Sequence, residues 1–435
     1  MILENVREEI RLFNDAQAYI ESTRCLMCED APCEKGCPAN VPIKKFIRAI
    51  RFENPRRSIN LIRSANVFAG VCGTICPVDS LCESRCTNND LAYPIKISTL
   101  QRYVADKDFI SQYRTIPRPE IKSDVKVAII GGGPAGLAAA YYLLLNGIKA
   151  TVFEKNEKPG GLLKYGIPAY RLSQELVEKE INFIVNETGV IVETNMSLGE
   201  NFTIDDLKKD GFEYIIIATG LSGSYRMDIP GKDLEGVIPA IDFLRKVATK
   251  KDVNIGEKVI VIGGGSVAMD SAITSLKLGA DVTILYRRRI KDMPASKFEV
   301  EDALNKGIQI NTKSLPVEYI GENGKLKKVK VIRMRSKDIN NFTSKNLEPI
   351  EGSEYIVEAD TVIEAIGQAP DEKIKEAFKN LENKNGFLIV NDKYETSEKN
   401  IYAVGDIVLG GGKTVVKAVA EAREVANIIA EKILS

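Results

Sequence analysis

Eight cysteines carry the most specific chemical signal in the sequence, and all of them lie between Cys25 and Cys86. They form two groups with short spacing, Cys25-x2-Cys28-x4-Cys33-x3-Cys37-Pro38 and Cys72-x3-Cys76-Pro77-x4-Cys82-x3-Cys86. Thiolates at such spacing suit iron–sulfur clusters or zinc. The first group follows the run of bacterial two-cluster ferredoxins, except that four residues instead of two separate its second and third cysteines. We interpret the two groups as ligands of two [4Fe–4S] clusters.

Structural zinc and disulfide bonds are the alternatives for these cysteines. Disulfides are disfavoured because the N-terminus, with Glu4, Glu8 and Glu9, lacks the basic and then apolar pattern of a signal peptide. The same observation predicts a cytoplasmic location. Spacing alone leaves zinc open, but the two Cys-Pro dipeptides, and the nucleotide-binding patterns that follow, favour electron transfer.

Composition excludes several kinds of chemistry. The chain has no histidine, so imidazole acid–base steps, histidine-ligated zinc and Rieske centres are excluded. No cysteine follows Cys86, so no redox-active disulfide lies in the C-terminal three quarters of the chain. Basic and acidic residues number 60 each, and this balance gives no indication of nucleic acid or a membrane surface as partner. The length of 435 residues predicts roughly three domains.

A dinucleotide-binding pattern begins at the apolar run Val127–Ile130. Gly131-x-Gly133-x-x-Gly136 follows it, then an alanine-rich helical segment and a second β-rich run that ends at Glu154. Such glycines permit a tight turn, the approach of a pyrophosphate and close helix packing, and the acid binds a ribose hydroxyl. The pyrophosphate is expected at the helix N-terminus. Hydropathy alone would also fit a membrane span over Val127–Leu145, but three consecutive glycines and a proline after four strand residues indicate a buried βα unit.

The same unit recurs from Lys258–Ile262, with Gly263-x-Gly265-x-x-Ala268 as its turn. The 23 residues from Gly263 to Tyr286 equal the interval from the first glycine to the acid in the first unit. Where the first unit has its acid, the second has Tyr286 followed by three arginines, 287–289. An arginine there accommodates a 2′-phosphate. We therefore expect FAD in the first unit and NADPH, rather than NADH, in the second; the alternative is that the arginines only solvate a strand end.

Later strands are expected to complete both sites. Glu213–Gly220 and Ala359–Gly367 each end in glycine at the sheet edge where nucleotides bind. Asn400–Val408 leads into Gly405-Asp406, and a helix is predicted to open near Lys413-Thr414. Asp406 could accept a hydroxyl of the flavin ribityl chain, and the helix N-terminus could face the isoalloxazine ring.

Helices must position the cysteines. Pro42–Phe52 carries apolar residues at helical spacing, and Ser98–Tyr113 is predicted to be a second helix with an apolar face. Gln101 lies beside that face and, on pattern alone, is an ordinary polar helix residue.

From Glu34 to Arg63 eight residues are basic and two acidic, which indicates a solvated helix face or a docking surface for an acidic partner. Thr115–Asp124 reads as a linker, and Pro316–Tyr355 as an antiparallel sheet feature with an ENGK turn.

Taken together, the motifs resemble those of the small subunit of glutamate synthase and of the N-terminal, electron-accepting half of dihydropyrimidine dehydrogenase. The motifs are CLMCEDAPCEKGCP, VCGTICPVDSLCESRC, ISTLQRY, AIIGGGPAGL, PGGLLKYGIPAYRL, IGGGSVAMD, YRRR and AVGDIV with KTVVKAV. They span residues 25 to about 420 in family order. The bacterial two-subunit pyrimidine enzymes lack the triple arginine and use NADH, so this chain is expected to differ from them in the nucleotide or in the partner.

The resemblance implies two [4Fe–4S] clusters with crossed ligation. One is implied to be held by Cys25, Cys28, Cys33 and Cys86. The other is implied to be held by Cys37, Cys76, Cys82 and Gln101, with Cys72 unligated. Glutamate synthase small subunits have an acid in place of Gln101, so this residue follows the pyrimidine-enzyme pattern. The resemblance alone therefore predicts that Gln101 is an iron ligand and not an ordinary helix residue.

The resemblance also implies the nucleotide contacts. For FAD they are Gly131, Gly133, Ala135, Gly136, Glu154, Gly160, Gly161, Leu162, Arg171, Gly220, Gly405, Asp406 and Thr414. For NADPH they are Gly263, Gly265, Ser266, Val267, Arg287, Arg288, Ala365, Ile366 and Gly367.

We expect an α/β protein in which a helical iron–sulfur domain (1–119) precedes two Rossmann-like, glutathione-reductase-type domains. The FAD domain is split into 120–227 and 368–435, and the NAD(P)H domain, 228–367, is inserted. The expected function is an NADPH-oxidising electron-input subunit that passes electrons to a partner reductase or synthase subunit in a hetero-oligomer. No residue pair suggests an acid–base site for an organic substrate. The alternatives are a self-contained NAD(P)H:ferredoxin or sulfide-type oxidoreductase and a non-catalytic redox sensor.

Overall fold

Two five-stranded parallel sheets organise the chain in the computed structural model, which describes residues 12–111, 114–338 and 341–435. The helices are α1 Asp15–Thr23, α2 Pro32–Lys35, α3 Ile43–Arg51, α4 Pro55–Arg63, α5 Ala69–Ile75, α6 Ile97–Phe109, α7 Pro134–Leu145, α8 Leu162–Tyr165, α9 Gln174–Asn182, α10 Ile204–Lys209, α11 Ala240–Ala248, α12 Ser266–Lys277, α13 Lys297–Asn305, α14 Glu372–Ala377 and α15 Val415–Leu434. The strands are β1 Ser123–Ile130, β2 Ile148–Glu154, β3 Ile191–Thr194, β4 Phe212–Ile217, β5 Gly223–Ser224, β6 Val237–Pro239, β7 Lys258–Ile262, β8 Asp281–Tyr286, β9 Gln309–Thr312, β10 Ser314–Glu322, β11 Lys325–Ser336, β12 Leu347–Pro349, β13 Tyr355–Glu358, β14 Thr361–Glu364, β15 Gln368–Ala369, β16 Asn383–Lys384, β17 Phe387–Leu388 and β18 Ile401–Ala403.

The first sheet has the strand order β18-β4-β1-β2-β3, and all of its pairings are parallel. Its central strand ends in the fully buried run Val127–Ile130, as expected for a parallel strand covered on both faces. Pro134 stands in the first turn of α7, where its missing N–H group costs nothing. Helix α15 packs along α7, so the C-terminal helix closes this fold.

The second sheet repeats the arrangement, with the order β6-β14-β7-β8-β9 and parallel pairing throughout. An antiparallel sheet is added to it, in which β10, β12 and β13 pair with β11. Asn323 and Gly324 both have positive φ at the turn between β10 and β11, which matches a type I′ hairpin. The predicted repeat and the predicted antiparallel feature are both present.

The helices before residue 110 form a layer around the cysteines. Helix α3 buries Ile43, Phe46, Ile47 and Ile50, the face that the spacing predicts. Helix α6 ends at Phe109, before the predicted end at Tyr113, and Tyr113 lies outside the described residues. Helix α5 packs against α9, so this layer is joined to the first nucleotide-binding fold.

The chain forms two compact units. The smaller one contains residues 222–369 together with 165–168, and the larger one contains the helical layer, the first parallel sheet and the C-terminal segment from 370 onward. The predicted division into an iron–sulfur domain, a split FAD domain and an inserted NAD(P)H domain stays a prediction. The acidic residues Glu4, Glu8 and Glu9 lie outside the described residues. None of the described helices combines the length and hydropathy that a membrane crossing needs.

Candidate functional site

The first cavity of the helical layer, called cavity A below, has a volume of about 400 Å³ including the solvent at its mouth. It is lined by four cysteines from two distant segments, namely Cys25, Cys28, Cys33 and Cys86. The rest of its wall is largely apolar and includes Ile43, Ile47, Ile95 and Ile97. The structure thus brings together the four cysteines that the resemblance groups as one ligand set.

Two basic side chains of α3 hold the loop that carries Cys25 and Cys28. Lys44 Nζ donates to the carbonyl oxygens of Cys28 at 3.0 Å and Glu29 at 3.2 Å. Arg51 donates to the carbonyl oxygen of Cys25 at 2.9 Å. The loop turns sharply, because Met27 has a φ of 55°. A residue other than glycine in this conformation is strained, and such residues occur where a ligand loop is clamped in place.

The second cavity, called cavity B, has a volume of about 380 Å³ on the same measure. Its potential ligands are Cys37, Cys72, Cys76, Cys82 and Gln101. Ile43 and Ile97 line both cavities, so the two cavities share an aliphatic wall. Val416, from the first turn of α15, also lines cavity B. The crossed grouping of the cysteines is therefore reproduced, with Cys72 as an additional member.

Gln101 lies 7 % exposed on α6, and its side-chain amide has a fixed orientation. Its Nε2 donates to the carbonyl oxygen of Ala69 at 2.7 Å, which leaves the amide oxygen as the free acceptor. Cys72 is 2 % exposed and forms a side-chain hydrogen bond with Cys76. That bond, together with burial, raises the pKa of Cys76 well above 9.0. Gln101 and Cys72 thus both line cavity B, and the expected ligand set of Cys37, Cys76, Cys82 and Gln101, with Cys72 unligated, stays a prediction.

The thiol pKa values test whether these cavities suit a metal cluster. Burial raises the pKa of Cys33 to about 12, and it also raises the pKa values of Cys25, Cys37 and Cys82. A buried thiol of this kind becomes a thiolate only beside a positively charged centre, which cluster iron supplies. Soft thiolate donors in an apolar cavity fit iron–sulfur ligation. No three cysteine, aspartate or glutamate side chains in the described part of the chain converge on a position for one isolated metal ion.

The basic residues between Glu34 and Arg63 divide into two sets in the structure. Lys44 and Arg51 hold the cysteine loop, and Arg63 is buried in an ion pair with Asp108 at 2.7 Å. The other five are exposed: Lys35, Lys45, Arg48, Arg56 and Arg57. A solvated face therefore describes five of the eight residues, and three have internal structural contacts.

The first glycine turn has the geometry that a dinucleotide site needs. Gly131 has a φ of 112°, and a Cβ atom there would lie 2.4 Å from the carbonyl oxygen of Ala218. Only glycine fits this position. The N–H group of Gly132 donates to Glu154 Oε2 at 2.8 Å, and Glu154 is 3 % exposed at the end of β2. Ala135 and Gly136 lie in the first turn of α7, and Gly220 follows β4 at the same sheet edge.

Other predicted FAD residues lie against the same turn. A Cβ atom on Gly161 would lie 2.9 Å from Gly133 Cα, so the segment 160–162 approaches the glycine turn closely. Leu162 begins α8, and Arg171 lies between α8 and α9. Gly405 has a φ of 77°, and its added Cβ would lie 3.3 Å from Ala135 Cβ. The C-terminal Gly405-Asp406 turn is thus adjacent to α7, as the FAD prediction requires.

Glu421, a residue that the sequence reasoning missed, holds this C-terminal turn. Its Oε2 accepts the N–H group of Gly405 at 2.8 Å, and the residue is 5 % exposed on α15. Burial raises the pKa of Asp406, whereas the backbone N–H of Lys413 lowers it. Thr414 is the residue before α15 begins. Asp406 and the start of α15 therefore lie in one turn next to the first glycine motif.

The second glycine turn, in the smaller unit, repeats the first in detail. Gly263 has a φ of 145°, and a Cβ atom on it would lie 2.3 Å from the carbonyl oxygen of Ala365, the counterpart of Ala218. Gly265, Ser266 and Val267 form the start of α12, and Gly367 follows β14. The predicted NADPH residues of this turn are together at one sheet edge.

A further parallel links the two turns. The N–H group of Gly160 donates to the carbonyl oxygen of Gly132 at 2.7 Å, and the N–H group of Ala295 donates to Gly264 at 3.1 Å. The sequence signal for this match is a proline just before each donor, Pro159 and Pro294. The repeat thus extends to a loop in each half that the glycine spacing alone did not identify.

The three consecutive arginines have different partners. Among the described residues, the Arg287 side chain donates one hydrogen bond, to Ser344 Oγ at 3.0 Å. The Arg288 guanidinium carbon lies 5.5 Å from the ring centre of Tyr286, and its buried Nε has no hydrogen-bond partner in the same part of the chain. Arg289 forms an ion pair with Asp292 and lies 4.1 Å from the ring centre of Phe342. Arg287 and Arg288 are therefore the two with capacity left to bind a phosphate.

The family models divide the chain at the linker. Residues 3–113 match the family described as dihydropyrimidine dehydrogenase domain II, 4Fe-4S cluster. Residues 125–422 match the family described as pyridine nucleotide-disulphide oxidoreductase.

Individual relatives agree with this division. The chain is 35 % identical to the small chain of NADPH glutamate synthase from Escherichia coli K12, with 95 % of this chain and 91 % of that one covered. It is also 35 % identical to the NAD-dependent dihydropyrimidine dehydrogenase subunit PreT of the same organism, with coverages of 96 % and 94 %. Among solved structures, FprA of Mycobacterium tuberculosis in complex with NADPH shares the fold, with a TM-score of 0.59, 19 % identity and coverages of 72 % and 85 %.

Proposed function

The chain belongs to the pyridine nucleotide-disulphide oxidoreductase family and has a 4Fe–4S domain in front of it, and we propose that it is the electron-input subunit of a larger reductase or synthase. It is an NAD(P)H-dependent flavin and iron–sulfur oxidoreductase. In the proposed role it oxidises NADPH and passes electrons through two clusters to a partner subunit. The wall shared by cavities A and B is the observation that carries this proposal, because clusters held in the two cavities would be neighbours in one path.

The proposed cofactor ligands are those of the two cysteine cavities. Cys25, Cys28, Cys33 and Cys86 would hold one cluster in cavity A. Cys37, Cys76, Cys82 and the amide oxygen of Gln101 would hold the other in cavity B. FAD, when bound, would supply the conversion of the electron pair of a hydride into two single electrons, and each cluster would carry one electron at a time. Oxidation of one NADPH would thus provide one electron for each of two clusters, with one NADP⁺ and one proton as products.

The order of the clusters in the path follows from α15. This helix begins directly after Thr414, beside the Asp406 turn, and Val416 in its first turn lines cavity B. In the described part of the chain, cavity A is lined by no residue from the Asp406 turn or from α15. We therefore place the cavity B cluster next to the flavin and the cavity A cluster after it. Leu26, which lines cavity A, is 50 % exposed, so the path ends near the surface.

The phosphate-binding arginines support NADPH as the electron donor. Arg287 and Arg288 directly follow Tyr286, which ends β8 as Glu154 ends β2, and among the described residues both retain unfilled donor capacity. A guanidinium at this position binds a 2′-phosphate, and a carboxylate excludes one. The partner subunit is supported by relatives that are themselves named as subunits of larger enzymes.

Anaerobic reduction of the purified chain by NADPH tests the proposal. We expect the flavin absorbance to bleach and the electron paramagnetic resonance signals of reduced [4Fe–4S] clusters to appear in the same sample. Bleaching without any cluster signal would contradict the path through the helical layer. Native co-purification then tests the subunit role: a stoichiometric second chain is expected, and full turnover of the isolated chain with soluble ferredoxin would instead indicate a self-contained oxidoreductase.

A further inference from the structure

Two charged side chains of the first nucleotide-binding fold reach into the helical layer and hold the backbone around cavity B. They are Glu180 on α9 and Arg423 on α15. The hydrogen bonds described below join each of them to backbone groups of the helical layer. Both contacts lie within the larger unit.

Arg423 holds the segment of Cys37. Its Nη2 donates to the carbonyl oxygen of Ala39 at 3.0 Å, and its Nη1 donates to that of Ala65 at 2.8 Å. Both alanines are buried. Ala39 is two residues from Cys37, and Ala65 precedes Asn66, which also lines cavity B. One planar guanidinium therefore bridges two separate stretches of the cavity B wall, a geometry that its fixed fork of donors permits.

Glu180 holds the segment of Cys72 and Cys76. Its Oε1 accepts the N–H group of Gly70 at 2.8 Å, and its Oε2 accepts that of Val71 at 3.1 Å. These residues form the first turn of α5, which contains Cys72 and leads directly into Cys76. The same turn supplies the Ala69 carbonyl that orients Gln101. The carboxylate thus fixes the turn to which the proposed glutamine ligand is bonded.

Cavity A is held differently. The charged contacts to its cysteine loop come from Lys44 and Arg51, both on α3 of the helical layer itself. Glu180 and Arg423, which come from the nucleotide-binding fold, instead form hydrogen bonds with backbone segments of cavity B.

We infer that Glu180 and Arg423 are positioning residues for the cavity B cluster alone, so that the flavin-binding fold itself sets the place and the potential of the first electron acceptor. This inference rests on the proposed function, because it assumes one cluster in each cavity. Backbone groups that are held rigidly by second contacts fix the ligands of a metal centre and tune its potential.

The test compares four variants of the full chain after anaerobic purification. Arg423→Met removes both hydrogen bonds of Arg423. Glu180→Gln removes the charge and one of the two oxygens that accept the N–H groups of Gly70 and Val71. Arg51→Met removes a cavity A contact. Arg114→Met is the matched control, since Arg114 also joins the helical layer to the nucleotide-binding fold, through Asp108 at 3.1 Å and Glu187 at 2.7 Å, but contacts no cysteine segment. The readouts are the iron content, the resonance signal and potential of each cluster, and the rate of flavin bleaching by NADPH.

We expect Arg423→Met and Glu180→Gln to shift the potential of the same single cluster, or to remove its signal and half of the iron. Flavin bleaching should keep its wild-type rate. Arg51→Met should change the other cluster, and Arg114→Met should change neither. Arg423→Lys keeps the charge but not the fork, so it should behave like the methionine variant.

Three results would overturn the inference. They are wild-type signals in both Arg423→Met and Glu180→Gln, equal changes of both clusters in these variants, and a wild-type cluster in Arg423→Lys, which would show that charge alone acts. If Arg423→Met does not fold, Glu180→Gln decides the matter in the same way. Failure of the proposed function is separate, because it would appear in the wild-type chain as an absence of NADPH-dependent cluster reduction.

Discussion

Arg289 and Asp292 form a two-point ion pair in which Nε and Nη2 of the guanidinium donate to the two carboxylate oxygens at 2.7 and 3.1 Å. The pair occupies the arginine and turns it towards Phe342. Within the described part of the chain, the side chain of Arg287, two residues earlier, has the hydroxyl of Ser344 as its one hydrogen-bond partner. The three consecutive arginines therefore differ in their contacts, and we expect substitutions of Arg287 and Arg289 to have different effects on nucleotide binding.

Arg287→Ala should weaken NADPH binding about ten- to a hundredfold, since a hydrogen bond to a charged group contributes roughly 1.5–3 kcal/mol. NADH binding should barely change, because NADH lacks the 2′-phosphate. Dissociation constants for both nucleotides check this, with Arg289→Ala as the matched control that should leave their ratio unaltered. Equal losses for NADPH and NADH in Arg287→Ala would contradict the assignment.

Gln101→Leu should disturb the cavity B cluster, whereas Cys72→Ser should leave it intact. Leucine fills a similar volume but offers no oxygen to iron, and serine removes only a thiol that the proposed ligand set does not use. Iron content and the resonance spectrum of the reduced protein are the measurements. The reverse outcome, with loss of iron in Cys72→Ser and a normal spectrum in Gln101→Leu, would make Cys72 the fourth ligand.

Glu154→Gln should weaken FAD binding by about ten- to a hundredfold, because a neutral amide accepts a ribose hydroxyl less strongly than a carboxylate does. Gel filtration followed by measurement of retained flavin absorbance would reveal the loss. Glu157→Gln is the control, since Glu157 is exposed three residues further along. Full flavin retention in Glu154→Gln would show that the acid serves only its bonds to Gly132 and Asn156.

Glu180 should make stability depend on pH. Burial raises the pKa of Glu180 from its ordinary 4.5 to about 7, although the N–H groups of Gly70 and Val71 and the charges of Arg63 and Arg102 act in the opposite direction. The native state therefore binds more protons than the unfolded state between these two values. The free energy of unfolding should fall as the pH rises through that window, by roughly 3 kcal/mol in all.

Thermal unfolding at several pH values between about 4.5 and 8 measures this slope. Glu180→Gln should flatten it, because the amide does not titrate. The exposed Glu178 lies on the same helix, and Glu178→Gln should keep the wild-type slope. An identical slope in wild type and Glu180→Gln would show that other groups cause it.

Local sequence patterns were sufficient to predict the two nucleotide-binding folds. Gly131 and Gly263 mark turns that no other residue fits, and strand, turn, helix and strand follow each other within about 30 residues. The buried face of α3 was also predictable, because its four large apolar residues recur at helical spacing. Such features depend on neighbours in the sequence, and a sequence displays them directly.

The contacts around cavity B could not be read in this way. Glu180 and Gly70 are 110 residues apart, and Arg423 and Ala39 are 384 residues apart, so no short window contains both partners. One signal was available: Glu180 follows the buried Leu176 by four residues, which places a carboxylate on an apolar face. The residue type and its position together indicate a buried acid, but only the tertiary fold identifies what the acid binds.

The aliphatic wall of Ile43 and Ile97 has a consequence for acidity. Neither side chain can accept or release a proton, and an apolar wall of this kind limits the entry of water between the cavities. If each cavity holds one cluster, as proposed, an electron that crosses this wall would have no proton carrier beside it. Proton uptake and release would then be confined to the flavin end of the proposed path.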